Sequence, residues 1–381
     1  MKKIPINKLS PGMKFTKPVF VDDANILVPE KVEIREKDLK RLERWNIDSV
    51  LTEGDLISKD TLLKDAANKI EAVIDSKGES EKKQLYRTSV MQTDRIFNDL
   101  RINKSVDKRE IDRIVERILR STVGAPEEML AFVLREERSE PSLGLSAVNT
   151  AILSILVGTT LKLDQLRLKT LATAALLHDA GMVKVPADII SKSTNLNPEE
   201  LKKMRTHPLY SYQLISKVIG YPEEIGLIAL QHHERWDGKG YPRKLGEKKI
   251  SIEARIITVA DAFEAMVKEK PYRNSMIAYT AMRQLLNDNS RRFDSEVLKV
   301  FIKSIGIYPL GSYVLLSNGS IGRVIKVNEG APLRPAVRLL VDKSGNKYEN
   351  DEGAMLDLVK EGEVFIARAI DPKMIAAKKR M

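Results

Sequence analysis

The sequence predicts a multidomain chain in which a mainly α-helical domain follows a small α+β module and precedes a small β module. Three observations carry this. A length of 381 residues is long for a single core. The middle of the chain holds apolar runs at helical spacing, such as Val148, Ile152, Leu153, Ile155 and Leu156, and Leu171 to Leu177. Both flanks instead alternate short apolar runs with turn residues, which is the pattern of strands.

Residues 1–57 form the first module. Ile4-Pro5-Ile6, Val19-Phe20-Val21 and Ile26-Leu27-Val28 are short strands separated by Ser10-Pro11-Gly12 and Asp22-Asp23-Ala24-Asn25. A helix from about Glu36 to Trp45 carries Leu39 and Leu42 on one face, and Ser49 to Thr52 is a further strand. Residues 58–137 are predicted as a charged helical linker or subdomain. Leu62, Leu63, Ala66, Ala67, Ile70, Val73 and Ile74 trace a stripe, Gly78-Glu79-Ser80 breaks it, and helices follow at Glu81–Leu100 and Asp107–Leu119. The stripe suits either intramolecular packing or a homodimer through the linker, and it is short of the repeat length that argues a coiled coil.

Residues 138–305 form the central helical domain. Asn197-Pro198-Glu199-Glu200 predicts a helix start, with proline at the first position and acids in the first turn, so His207 lies on or just beyond that helix. Asp237-Gly238-Lys239-Gly240-Tyr241-Pro242 is a loop, because two glycines and a proline oppose regular structure. A helix within Ile250–Ala265 turns Ile252, Ile256, Ile257 and Val259 inward. Residues 306–364 make the β module, with a hairpin turning at Asn318-Gly319 and a third strand at Val337–Val341. Residues 365–381 are a basic tail ending Lys378-Lys379-Arg380-Met381.

Composition narrows the function classes. Apolar residues at 43% and charged residues at 31% are ordinary for a globular chain. With no cysteine there are no disulfides and no thiolate ligands, which fits a reducing, cytoplasmic setting. Pro5, Asn7, Lys8 and Pro11 interrupt any signal-peptide core after Met1-Lys2-Lys3, and no uninterrupted apolar stretch approaches the length of a membrane span. The net charge of +11 would attract polyanions. Its lysines and arginines are mixed with acids and aromatics are only 5%, so nucleic-acid binding is not expected.

The chemistry lies in one segment. All four histidines fall between His178 and His233, as His178-Asp179, His207 and His232-His233, with Asp261 following. Imidazole and carboxylate suit divalent iron, manganese, zinc or nickel. A lone histidine is most often a hydrogen-bonded core residue, but a His/Asp set of this kind is the signature of a metal centre. Two carboxylates and four imidazoles exceed what one tetrahedral ion needs. A second ion with Asp179 bridging is the economical arrangement, and metals about 3.5–4 Å apart serve phosphate-ester hydrolysis. Adjacent helical side chains diverge by about 100°, so the helix must loosen for His232 and His233 to reach the same ion.

His178-Asp179, His207 in Met204-Arg205-Thr206-His207-Pro208, and the run His232-His233-Glu234-Arg235-Trp236-Asp237-Gly238-Lys239-Gly240-Tyr241-Pro242 resemble an HD-GYP domain. That family is the branch of the HD phosphohydrolases that hydrolyses the bacterial second messenger cyclic di-GMP. Asp261 and Lys270-Pro271-Tyr272-Arg273 continue the match, which covers about Ser142 to Ile305. The resemblance implies one or two divalent ions, iron or manganese before zinc or nickel, with Asp179 as the bridging catalytic carboxylate. It places one ion on Asp179, His207, His232 and His233 and the other on His178, Asp179 and Asp261. Lys270 and Arg273 would hold substrate phosphates. Tyr241 would either stack on a guanine or be a buried tyrosine. The Gly240-Tyr241-Pro242 loop would shape the pocket rim or meet a protein partner.

Departures from the family pattern bear on activity. Ser146 and Ser142 stand where the family has a histidine and a glutamate, and Met182 where it has a lysine, with Lys184 two residues on and placed to reach back. Lys270 replaces an arginine, keeping charge but losing the two-pronged fork. The sequence therefore supports a phosphodiesterase that opens cyclic di-GMP to the linear dinucleotide, weakened by Ser146 and Met182. A degenerate cyclic di-GMP receptor or protein-interaction module is the alternative, and the sequence leaves both open.

Overall fold

The computed structural model describes residues 1–13, 15, 17–21, 25–29, 32–44, 47–54, 56, 81–134, 142–192, 194–267, 278–287, 292–328, 330–346, 348 and 352–370. The chain forms two compact units, one built on Met1–Lys77 and the other on Gly78–Lys343 with Asp351–Ile370.

In the first unit β1 (Lys2–Pro5), β2 (Val19–Phe20), β3 (Ile26–Val28) and β4 (Ser49–Thr52) form an antiparallel sheet in the order β1-β4-β2-β3. Val50 and Thr52 alternate inward from β4, as a strand with one buried face requires. Helix α1 (Glu36–Arg44) opens with acids and ends with Arg41 and Arg44, complementing its dipole. Leu42 joins Phe15, Val19, Val28, Ile34 and Val50 in a separate small core. The α+β module is as expected.

The second unit is a helical bundle followed by a sheet. Its helices are α2 (Glu81–Arg101), α3 (Lys108–Gly124), α4 (Pro126–Leu134), α5 (Leu143–Thr160) and α6 (Gln165–Leu177). After these come α7 (Ala187–Ile190), α8 (Pro198–Met204), α9 (His207–Gln213) with a π turn at Leu214–Ile219, and α10 (Glu223–Gln231). Helices α11 (Ile252–Val267), α12 (Ala278–Asn287) and α13 (Ser295–Ile305) complete it. Helix α5 is central, packing on α2, α3, α4, α6, α11 and α13. It is long and apolar enough to cross a membrane, but 72% of it is buried inside the protein, as befits a helix packed on all sides.

Of the two expectations for this stretch, linker or helical subdomain, the helices of residues 81–134 fit the second. Phe97, Leu100, Ile111, Ile114 and Met129 share one core with Ala147, Ile152 and Leu153. Tyr86 Oη donates to Asn149 Oδ1 at 2.7 Å, and the Gly144 amide donates to Asp94 Oδ1 at 2.7 Å, so α2 is also tied to α5 by polar contacts. The charges that suggested a linker lie on the outer faces, while the apolar faces complete the bundle. The stripe from Leu62 to Ile74 lies outside the described residues, as does the tail after Ile370.

Strands β5 (Tyr313–Leu316), β6 (Ile321–Lys326), β7 (Ala336–Val341), β8 (Met355–Asp357) and β9 (Ile366–Ile370) form an antiparallel sheet in the order β8-β7-β6-β5-β9. The hairpin turns at Asn318-Gly319 as its sequence requires, with Gly319 at φ +87°. Two strands were not expected. Strand β9 pairs with β5 and so carries the β module past residue 364; its Ile366 and Ile370 point inward around the exposed Ala367 and Arg368.

Candidate metal centre

Helix ends deliver the donor groups. Helix α6 runs apolar from Leu171 to Leu177 and stops at His178, its C-terminal cap. Asn197 caps α8, accepting from the Glu200 amide at 2.9 Å while the Glu200 carboxylate accepts from the Asn197 amide at 2.8 Å, and His207 begins α9 just beyond. Helix α10 ends at Gln231, with His232 as its cap and His233 in the following turn, which is the loosening that two adjacent ligands require. Asp261 projects from α11, one turn after Thr258, whose hydroxyl donates to the His232 carbonyl at 2.8 Å.

Three rings are oriented by the same local device. The Nδ1 of His178 lies 2.7 Å from the Ala175 carbonyl, that of His207 2.8 Å from the Met204 carbonyl, and that of His232 2.6 Å from the Ala229 carbonyl. A carbonyl only accepts, so each Nδ1 carries the hydrogen and each Nε2 of a neutral ring presents a lone pair. Those lone pairs converge. His207 Nε2 is 3.4 Å from His232 Nε2, and both approach Asp179 Oδ1, at 3.1 and 3.5 Å. His178 Nε2 lies 3.6 Å from Asp179 Oδ2 and 3.7 Å from Asp261 Oδ1.

Donor atoms gather in two groups that share Asp179: Asp179, His207, His232 and His233, and His178, Asp179 and Asp261, each set lying within 4.8 Å of one another. His178 Nε2 and Asp179 Oδ1 are buried with no aligned hydrogen-bond partner among the described residues. Distance alone would let His207 bond that oxygen, but the alignment is that of two groups facing a common point. Buried lone pairs aimed at one another repel, and divalent cations between them remove the repulsion. The donor set fits such ions, with carbonyl-oriented imidazoles as their outer support.

The titrations follow from burial and charge. Burial alone would lower His178, but Asp179 and Asp261 raise it to about 9. Burial would raise Asp261, yet the imidazolium of His178 facing it holds it at about 2. For Asp179, burial opposes ionisation, and His178 and His207 overcome it, holding the carboxyl well below its ordinary range. Burial, then the charges of His232 and His207, push His233 well below the usual imidazole value. In short, the carboxylates are ionised and His178 is the proton carrier of the metal-free cluster.

The loop beyond the histidines closes on them. Its Gly240 packs so tightly that a Cβ would lie 2.4 Å from the Arg235 nitrogen and 2.6 Å from the His233 carbonyl oxygen. The Tyr241 amide donates to that carbonyl at 3.2 Å, and the Tyr241 ring stacks on His233 with centroids 4.7 Å apart. Glu234, 1% exposed, accepts from the Arg243 amide at 2.6 Å and the Leu245 amide at 3.0 Å, pinning the segment after Pro242. Glu234 and Thr258 have no role assigned from sequence. Their signal is adjacency to ligands, but their work is through-space hydrogen bonding and close packing that spacing does not reveal.

Other expectations fare differently. Tyr241 is half-buried against His233. Lys184 does not reach back toward the cluster: its Nζ donates to Asn103 Oδ1 at 2.7 Å and to the Leu100 carbonyl at 3.1 Å, because the turn at Ala180–Lys184 packs against the end of α2. Ser142 caps α5, accepting from the Leu145 amide at 3.0 Å. Lys270 and Arg273 lie outside the described residues.

Comparison with known proteins places this geometry. Residues 125–297 match the family model of the HD domain, and residues 313–378 match the KOW domain associated with HD domain. The chain is 26% identical over 356 residues to cyclic di-GMP phosphodiesterase PdeB of Borreliella burgdorferi, covering 93% of this chain and 92% of that one. It is 30% identical over 244 residues to cyclic di-GMP phosphodiesterase PA4108 of Pseudomonas aeruginosa, covering 64% and 58%. A cyclic di-GMP phosphodiesterase of Thermotoga maritima is 40% identical over 131 residues, covering 34% of this chain and 36% of that one. Residues 125–297 are thus an HD domain, and in its paired donor groups and its Gly240-Tyr241-Pro242 loop that domain is similar to the HD-GYP branch.

Proposed function

We propose that this chain is a metal-dependent phosphodiesterase that opens cyclic di-GMP to the linear dinucleotide. The observation that carries the reading is the pair of donor groups sharing Asp179, with three histidines presenting Nε2 from carbonyl-anchored rings. Relatives matched over most or part of the chain bear that activity in their names, which supports the substrate.

Asp179, His207, His232 and His233 would hold one divalent ion, and His178, Asp179 and Asp261 a second, with iron or manganese the expected metals. Ions bound there supply Lewis acidity toward a phosphoryl oxygen and lower the pKa of water. The protein's part is to orient and exclude. The carbonyls of Ala175, Met204 and Ala229 fix the rings, and Tyr241 on His233 walls one side from bulk water. His178 would have to release its Nε2 proton to serve as a donor to the second ion. Lys270 and Arg273 would hold phosphate oxygens.

Elemental analysis of anaerobically purified protein, run beside cleavage of cyclic di-GMP by the same sample, tests the proposal. Two ions per chain with a linear dinucleotide product are expected. Metal-replete protein that cleaves no cyclic di-GMP would overturn it, and binding without cleavage would identify a receptor.

A further inference from the structure

The turn that delivers His207 also delivers a guanidinium. Arg205 caps the end of α8 two residues before His207, and its Cζ stands 5.4 Å from the Tyr241 ring centroid, within cation–π range. Tyr241 in turn stacks on His233 and lies edge-on to His207 at 6.4 Å, so Arg205 is one aromatic ring away from the metal-binding donors. Its side chain is exposed and makes no ion pair among the described residues. Three other arginines of this unit are paired with carboxylates: Arg167 with Glu253 at 3.1 Å, Arg255 with Asp294 at 2.7 Å, and Arg235 with Asp237 at 2.8 Å. Arg292 approaches from the far end of the loop, where its carbonyl accepts from the Trp236 amide, and its charge also reaches Tyr241.

A cyclic dinucleotide carries two phosphodiesters, and only one can sit over the metal centre. The other needs a cation elsewhere. Lys270 and Arg273 are assigned above to phosphate oxygens at the metal centre, Met182 offers no charge, and Lys184 is occupied by Asn103 and the Leu100 carbonyl. A guanidinium fork resting on an aromatic face is well suited to phosphate, because stacking fixes its plane while leaving its N–H edge free. We infer that Arg205, held on Tyr241, binds the unreacting phosphate of a cyclic dinucleotide, making it a positioning residue that selects two-phosphate substrates over simple diesters. The inference rests on the phosphodiesterase reading.

The test compares wild type, Arg205→Gln and Arg205→Lys, each with its metal content measured. The substrates are cyclic di-GMP, cyclic di-AMP, cyclic GMP–AMP and the one-phosphate diester bis(p-nitrophenyl) phosphate. Losing a charge-assisted contact should lower the kcat/KM preference for the cyclic dinucleotide over the simple diester by about tenfold to a hundredfold. The change should appear in KM more than in kcat. Arg205→Lys should recover part of it, and it keeps the test open should the glutamine variant fold poorly. A preference ratio equal to wild type in both variants overturns the inference and leaves the substrate reading standing. Wild type that ignores cyclic di-GMP but takes another cyclic dinucleotide in an Arg205-dependent way sinks the substrate reading and supports the inference. Wild type that takes no cyclic dinucleotide overturns both.

Discussion

The Gly181 amide donates to Ser211 Oγ at 2.8 Å, at a place where the two backbones leave no room for a methyl group. A Cβ on Gly181 would stand 2.1 Å from the His207 carbonyl oxygen and 2.5 Å from the Ser211 nitrogen. This contact sets the turn after Asp179 against the start of α9 and so brings His207 to the shared carboxylate. Gly181→Ala is expected to cost about 1–3 kcal/mol of stability through overpacking. Urea unfolding with and without added manganese checks it: both the midpoint and the metal-dependent increment should fall, and a wild-type curve would remove the argument.

The sharing of Asp179 predicts an asymmetry between ligand substitutions. Asp179→Asn should weaken both donor groups and leave little metal on the protein. His178→Ala should strip only the three-donor group, retaining about one ion on Asp179, His207, His232 and His233. Loss of cleavage is expected in both, by at least tenfold to a hundredfold on the scale of perturbed metal sites. Elemental analysis of the two variants side by side decides the point; equal metal contents would mean that the groups are not separate.

Loading of the His178 group should depend steeply on pH. His178 is raised from 6.5 to about 9, so at neutral pH an incoming ion must displace its proton. Apparent affinity there is expected to rise about tenfold per pH unit up to about 9 and then level off. The metal-free fold shows the opposite trend. The stabilisation from charged His178 is fully present below 6.5 and is lost as pH rises through about 9. Calorimetric titration in buffers of different ionisation enthalpy measures the proton release, and a pH-independent affinity would contradict the assignment.

Glu234 should govern the loop rather than the chemistry. An amide in place of its carboxylate accepts through one oxygen only, leaving the Arg243 or Leu245 amide unmatched in a buried setting. Glu234→Gln is expected to cost about 1–3 kcal/mol and to expose the segment Asp237–Leu245 to limited proteolysis. Cleavage elsewhere at the wild-type rate would show the effect to be local; resistance equal to wild type would exclude the role.

Much of the centre was legible because its chemistry is carried by rare residue types. Four histidines in a chain without cysteine leave few alternatives, and the structure gathers all of them with Asp179 and Asp261. The helix around Asp261, the Asn197 cap and the Asn318-Gly319 hairpin were likewise written in local signals. What could not be read depends on contacts distant in sequence. That helices 81–134 complete the bundle follows from Phe97 and Ile114 meeting residues such as Ile152, which charge along the chain conceals. The direction of Lys184 is set by the end of α2, eighty-odd residues earlier. Strand β9 shows only two inward isoleucines, too few to stand out before its partner β5 is known.

The carbonyls that anchor His178 and His232 belong to the last turns of α6 and α10, and Met204, which anchors His207, is the final residue of α8. Each helix end carries a fractional negative charge, on the order of half an electron. Three such ends and two ionised carboxylates meet at one spot on a chain whose net charge is +11. The molecule as a whole repels cations, yet it focuses a negative potential into this one depression. Cations held by these donors would reverse the local field and so favour a nucleotide phosphate there.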